Sequence, residues 1–68
     1  MSEVEFLVEE APEGGYSARC LGHSIYTEVD TWEELKVAVQ EAVVCHFEEI
    51  DRPRLIHLHY HREEVLTA

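Results

Sequence analysis

Residues 30–34, with the sequence Asp-Thr-Trp-Glu-Glu, predict the start of a helix and thereby set the fold of the chain. Thr31 and Glu34 have the spacing of a capping box, in which each side chain binds the backbone N–H of the other residue. The acidic first turn also suits the positive end of the helix dipole. Pro53 disfavours a helical conformation at the residue before it, so we expect the helix to end near Glu49.

One side of the predicted helix is an apolar stripe at about 100° per residue. The stripe contains Trp32, Leu35, Ala38, Val39, Ala42, Val43, His46, Phe47 and Ile50. Val37 and Val44 form a separate apolar spot among the glutamates of the opposite side. We expect His46 to be a hydrogen-bonded core histidine and its neighbour Cys45 to be a core thiol.

Three short segments before the helix alternate between apolar and polar residues, which is the period of half-buried strands. They span residues 4–10, 16–21 and 24–28. Residues 12–15, Pro-Glu-Gly-Gly, and residues 22–23, Gly-His, have the composition of turns. Because short turns join consecutive strands, this half of the chain predicts an antiparallel meander.

A fourth alternating segment, residues 55–61, follows the helix. Ile56, Leu58 and Tyr60 face one way, whereas Leu55, His57, His59 and His61 face the other. The chain therefore predicts an α+β fold in which residues 1–68 form a single two-layer β-β-β-α-β domain. One helix packs on one face of the sheet, and we expect the fourth strand to lie beside the first.

The composition restricts the function. The chain has 68 residues, of which 15 are acidic and 5 basic, so its formal net charge is −10. So small a core cannot hold a cofactor domain and a substrate domain. The charge disfavours direct binding of nucleic acid, and the longest apolar run is too short to span a membrane. An acidic surface suits a basic partner, while open sheet edges favour a homodimer.

The two cysteines, Cys20 and Cys45, form no Cys-x-x-Cys pair, and no basic-then-apolar signal segment opens the chain. We therefore expect a cytoplasmic protein with two reduced, mostly buried thiols. Cys45 and His46 are adjacent on the helix and point about 100° apart, so they do not form a nucleophile–base pair. No pair of carboxylates lies in an apolar setting. We expect no enzymatic activity.

Three histidines, His57, His59 and His61, alternate along the fourth strand and share one face of the sheet. Histidines so placed can bind zinc if further ligands complete the site. Candidates for such a ligand are Glu5, Glu9, His23 or a second copy of the chain. A solvated polar face and a pH-sensitive patch are the alternative interpretations. No other cofactor is expected.

Several segments of the chain resemble the HicB-type antitoxin family. They are residues 14–22, Gly-Gly-Tyr-Ser-Ala-Arg-Cys-Leu-Gly, residues 26–27, Tyr-Thr, and the helix start at residues 30–35. The resemblance extends over about residues 4–60. Val29 stands where the family has a glycine before its helix-opening Asp-Thr-x-x-Glu step.

The resemblance implies a degenerate RNase H-like fold without nuclease activity. HicB proteins bind and neutralise small, basic, RNA-cleaving HicA toxins, and they usually carry a C-terminal DNA-binding region. Because eight residues follow Tyr60, we expect a short stand-alone domain without that region. The sequence thus favours a non-catalytic protein-binding module of the antitoxin type. A metal-binding protein and a stand-alone homodimer of unknown role are the alternatives.

We expect a partner to bind the open sheet face or an edge strand through a small set of residues. On the open sheet face and its edges they are Tyr26, Leu55, His57 and His59. The helix spot formed by Val37 and Val44 is a second candidate surface.

Overall fold

A computed structural model describes residues 3–62 and 64–68 of the chain. Its elements are β1 (Glu3–Glu10), β2 (Tyr16–Cys20), β3 (Tyr26–Val29), α1 (Trp32–His46) and β4 (Leu55–His61). The predicted α+β class and the β-β-β-α-β order are confirmed.

The four strands form one sheet in the order β3-β2-β1-β4. β1, β2 and β3 are antiparallel neighbours, as predicted for a meander. β4 lies beside β1, also as predicted, and runs parallel to it. The parallel direction follows from the connection through α1, since parallel neighbours need a long crossover. In this register, Glu5 lies opposite His57 and Leu7 lies opposite His59.

The core lies between α1 and one face of the sheet. Its buried residues are Val4, Phe6, Val8, Ala18, Cys20, Ile25, Leu35, Val39 and Val43. Phe6 and Leu35 are completely buried, one from the sheet and one from the helix. The apolar side chains of the alternating strands and of the helical stripe therefore pack together in a single layer.

The helix begins with the predicted capping box. The backbone N–H of Glu34 donates to Oγ1 of Thr31 at 3.1 Å, and the N–H of Thr31 donates to Oε1 of Glu34 at 3.1 Å. Both bonds satisfy backbone donors that have no partner inside the helix.

The helix ends at His46, three residues before the predicted end. Phe47 is extended, and its N–H donates to the carbonyl of Val43 at 3.1 Å. Val43 is the last buried residue of the helix, so the positions after it lie beyond the core. The predictions for His46 and Cys45 are therefore wrong, because both residues are exposed.

The third strand starts at Tyr26, two residues later than predicted. Gly22 has φ +88°, and the chain turns so that the N–H of Ile25 donates to the carbonyl of His23 at 3.0 Å. The carbonyl of Ile25 in turn accepts from the N–H of Cys20 at 3.0 Å. This turn places the Ile25 side chain in the core.

Within residues 3–62 and 64–68, no helix is long and apolar enough to cross a membrane.

Candidate functional site

The side of the sheet turned away from α1 is here called the open face. Its residues follow from the alternation of buried and exposed positions along each strand and from the register. They are Glu3, Glu5, Leu7, Glu9, Ser17, Arg19, Tyr26, Glu28, Leu55, His57, His59 and His61. α1 packs on the other face, so this surface has no covering layer within the described chain.

A row of four side chains crosses the middle of the open face. Tyr26 lies opposite Arg19, Arg19 lies opposite Leu7, and Leu7 lies opposite His59. Neighbouring strands are about 4.8 Å apart, so the row spans about 14 Å from edge to edge. Tyr26 is 61% exposed. The structure thus puts the predicted contact residues Tyr26 and His59 on the same face but on opposite edges.

Two of the three predicted histidines bind glutamates of β1. Nε2 of His57 lies 2.6 Å from Oε1 of Glu3, and Nε2 of His59 lies 2.8 Å from Oε1 of Glu5. An ionised carboxylate only accepts hydrogen bonds, so Nε2 carries the proton in both rings. The rings of His57 and His59 are stacked, with centroids 6.4 Å apart.

The third histidine, His61, lies opposite Glu9 at the end of β4. Of the further ligands predicted for a zinc site, Glu5 lies beside His59. His23 instead packs against His46, with ring centroids 5.6 Å apart, and against Phe47, at 4.8 Å.

The described residues contain no group of three or more His, Cys, Asp or Glu side chains arranged to hold a metal ion. Two nitrogens on one zinc ion lie within about 4 Å of each other. The stacked rings of His57 and His59 would therefore have to turn before they could share an ion. The zinc site predicted from His57, His59 and His61 stays a prediction.

The remaining contact residues lie on two different surfaces. Leu55 is 56% exposed at the start of β4, on the open face. Val37 and Val44 are each about half exposed on the outer side of α1, on the opposite side of the molecule. A shallow depression of about 420 Å³ beside Val37 is rimmed by glutamates, namely Glu33, Glu34 and Glu41. One partner therefore cannot contact the open face and this spot through a single flat surface.

A groove between α1 and β4 was not anticipated from the sequence. It has a volume of about 280 Å³ and is lined by Lys36, Val39, Gln40, Arg54, Leu55, Ile56 and Leu58. Two cationic side chains and no carboxylate line this groove, although the chain carries a net charge of −10. The backbone of α1 lies nearest to β2 and β3, which leaves β4 only partly covered. No local signal marks the groove, because two segments that are distant in sequence, residues 36–40 of α1 and residues 54–58, contribute to it.

Two groups in the described chain have a shifted pKa. Burial raises the pKa of the Cys20 thiol above its ordinary value, and a hydrogen bond with the backbone of His23 opposes that shift. Desolvation, together with the charges of Glu10 and Tyr16, raises the pKa of Tyr60. The Tyr60 ring packs against those of Tyr16 and Trp32 at 5.9 and 5.3 Å. Both groups are therefore neutral near neutral pH, where each has a packing role.

Comparison with known proteins identifies the family. A UPF0150 protein of Archaeoglobus fulgidus is 60% identical to this chain over 52 residues, which cover 76% of the chain and 77% of the relative. The chain belongs to the UPF0150 family. A UPF0150 protein of Thermotoga maritima is 38% identical over 66 residues, which cover 97% of this chain and 93% of that relative.

The UPF0150 name states no activity for either relative. No family model matches the chain. No solved structure matches it significantly.

Proposed function

We propose that this UPF0150 protein is a non-catalytic, HicB-like protein-binding module that neutralises a small, basic, RNA-cleaving toxin in the cytoplasm. The observation that carries the proposal is the open face. A whole side of the sheet lacks a covering layer in the described chain and presents two exposed apolar anchors, Tyr26 and Leu55. Exposed apolar groups within a polar surround are typical of interaction sites.

The charge of the open face supports a basic partner. It carries the four glutamates Glu3, Glu5, Glu9 and Glu28, and Arg19 is the one arginine or lysine in the set of residues that defines it. With a net charge of −10, the protein attracts a cationic partner during the diffusional encounter. Carboxylates placed over an RNA-binding groove would compete with the phosphates of its substrate.

The non-catalytic part of the proposal is supported by the titratable groups. Within the described residues, the two groups with shifted pKa values are Cys20, which is buried in the core, and Tyr60. Enzymes usually shift the pKa of a nucleophile or base within a cleft. Neither of these two groups is placed in that way.

The proposal is tested by reconstitution with a panel of small, basic HicA-type toxins, beginning with any encoded beside the gene. We expect one of them to form a complex that weakens with added salt, and its cleavage of RNA to fall as the UPF0150 protein is added. If every toxin in the panel cleaves RNA at an unchanged rate and forms no complex, the proposal is wrong.

Paired variants locate the binding surface. A protein with Tyr26→Ala and Leu55→Ala loses both apolar anchors, and we expect its affinity for the toxin to fall at least about tenfold. The matched control, with Val37→Ala and Val44→Ala, truncates two apolar residues of similar exposure on the other side of the molecule. If the control variant loses more affinity for the toxin than the variant with Tyr26→Ala and Leu55→Ala, the toxin binds the outer side of α1.

Metal binding is a second candidate function, favoured by the pairing of Glu3 with His57 and of Glu5 with His59. In metal sites, a ligating imidazole commonly donates its other N–H to a carboxylate, as both rings do here. Equilibrium dialysis against zinc tests this candidate, with His57→Gln and His59→Gln as the variant. His23→Gln with His46→Gln is the matched control. If the unmodified protein retains stoichiometric zinc and only the variant with His57→Gln and His59→Gln loses it, the site is supported. If the unmodified protein retains no zinc, the site is excluded.

A further inference from the structure

Among the described residues, no strand pairs with the outer side of the edge strand β4. It pairs with β1 on its inner side and lies at the end of the sheet order. With seven residues it is longer than β3, the four-residue strand at the other edge. Its sequence contains neither proline nor lysine, which proteins often place on edges to block pairing. β4 is therefore the better template for an added strand.

Apolar side chains near β4 are left in solvent. Leu55 is 56% exposed, and beyond the strand Val65 and Leu66 are 86% and 81% exposed. The molecule measures 53 Å along its longest axis and 18 Å along the others. β1, the longest strand, accounts for about 27 Å at about 3.4 Å per residue. Segments outside the sheet supply the rest of the length, and residues 64–68 are one such exposed segment.

We propose that a second copy of this chain pairs antiparallel with β4, and that residues 64–66 of each copy fill the α1–β4 groove of the other. This interface adjoins the open face used by the function proposed above: it covers Leu55 of each copy and leaves Tyr26, at the opposite edge of the sheet, uncovered. Edge pairing around a two-fold axis gives a closed dimer in which each contact occurs twice.

The chemistry of residues 64–66 matches that of the groove. Glu-Val-Leu supplies one carboxylate followed by two aliphatic side chains. The groove offers the cations of Lys36 and Arg54 above an apolar floor that includes Ile56 and Leu58. A carboxylate beside the two cations and aliphatic groups on the floor would bury apolar area while pairing opposite charges.

The register follows from matching exposed apolar residues. If Val65 lies opposite Leu55 of the other copy, then Tyr60 lies opposite its own counterpart at the two-fold axis. Side chains alternate along an extended segment, so Glu64 and Leu66 then face the groove while Val65 covers Leu55 on the open face. The same register sets His59 opposite His61 of the other copy.

The groove of the same copy is an unsuitable site for this segment. Leu55 and Ile56 lie at the start of β4, whereas residues 64–66 follow its end. The seven residues of β4 extend over about 23 Å, so the segment would have to reverse and run back along its own strand. In an antiparallel dimer it reaches the partner's groove without a turn.

Sedimentation equilibrium over a wide dilution range tests the proposal. We expect the full chain to have a mass near twice 7.9 kDa at high concentration. Val65→Asp with Leu66→Asp places charges in the interface, and we expect the dissociation constant to rise at least about tenfold. The matched control is Val37→Asp with Val44→Asp, an exposed apolar pair outside the interface, and its dissociation constant should be unchanged.

A charge swap separates a specific contact from a general loss of structure. Arg54→Glu should weaken the dimer, and combining it with Glu64→Arg in the same chain should restore it. A mass of 7.9 kDa at every concentration would overturn the proposal. So would a dimer that Val65→Asp with Leu66→Asp leaves unchanged, or a charge swap that fails to restore the weakened dimer.

Discussion

The carboxylate of Glu5 binds Nε2 of His59 at 2.8 Å, although the register partner of Glu5 is His57. Glu3 repeats the same diagonal step, and its carboxylate lies 2.6 Å from Nε2 of His57. Glu3 and Glu5 therefore each reach the histidine two residues beyond their own register partner. The repeat places the Nε2 atoms of two histidines on the same strand against carboxylates of β1.

Removing one carboxylate should change the tautomer of one ring. In Glu5→Ala, we expect the nitrogen chemical shifts of His59 to show a mixture of neutral tautomers, while those of His57 stay unchanged. Glu9→Ala is the control, since Glu9 lies opposite His61 and makes no side-chain hydrogen bond to it. The free energy of unfolding should fall by less than about 1 kcal/mol, because the pair is half exposed. A mixture of His59 tautomers in Glu9→Ala alone would contradict the assignment.

Truncation of Leu35 should strongly destabilise the domain. Leu35 is completely buried, so Leu35→Ala should lower the free energy of unfolding by about 2–5 kcal/mol. Val37→Ala, two residues away and 53% exposed, should change it by less than about 0.5 kcal/mol. Chemical denaturation measures both variants. Equal losses would mean that the helix packs through a different face.

The capping box makes a smaller contribution that can be measured separately. Thr31→Ala removes the hydroxyl oxygen that accepts from the N–H of Glu34, and we expect a loss of about 1 kcal/mol. Thr31→Ser keeps a hydroxyl at the same position and should retain most of the stability. If the serine variant is as unstable as the alanine variant, the hydrogen bond is not the cause.

The two glycines of the β1–β2 turn should differ in their tolerance of alanine. Both have positive φ, +102° for Gly14 and +87° for Gly15, so alanine is strained at either position. A Cβ at Gly15 would lie 2.6 Å from the backbone oxygen of Val29, whereas one at Gly14 meets open space. Gly15→Ala should therefore lower the midpoint of thermal unfolding more than Gly14→Ala. The reverse order would contradict the turn geometry.

The two cysteines should react at very different rates. Cys45 is exposed and should be modified quickly by a thiol reagent in the folded protein, whereas Cys20 is buried and should react only on unfolding. Measuring the released chromophore against time, with Cys45→Ser as the control, separates the two sites. Rapid modification of Cys20 in that variant would contradict its burial.

The raised pKa of Cys20 also predicts a pH dependence of stability. The ordinary pKa is 9.0, so the unfolded chain loses this proton before the folded protein does as the pH rises. The free energy of unfolding should therefore be unaffected below about pH 8 and fall above about pH 9. In Cys20→Ala the fall should be smaller, and denaturation curves at neutral and alkaline pH measure the difference.

The local elements could be predicted because their signals lie in neighbouring residues. Thr31 and Glu34 form the capping box that their spacing indicated. Val4, Phe6 and Val8 alternate with exposed residues and are buried as a set. The end of the helix was placed too late, because the apolar stripe continues through His46 although the core beneath it stops at Val43. Where a helix leaves its core depends on the sheet and not on its own sequence.

The sequence by itself therefore determined the element types and order, the buried face of each strand, the start of α1 and the face shared by His57 and His59. These features depend on residues a few positions apart, through propensity, capping and periodicity. Tertiary structure decided that β4 runs parallel to β1, that Glu3 and Glu5 bind histidines 54 positions later in the chain, and that Lys36 and Arg54 line one groove. Those contacts join distant segments, because the packing of α1 across the sheet determines which residues meet.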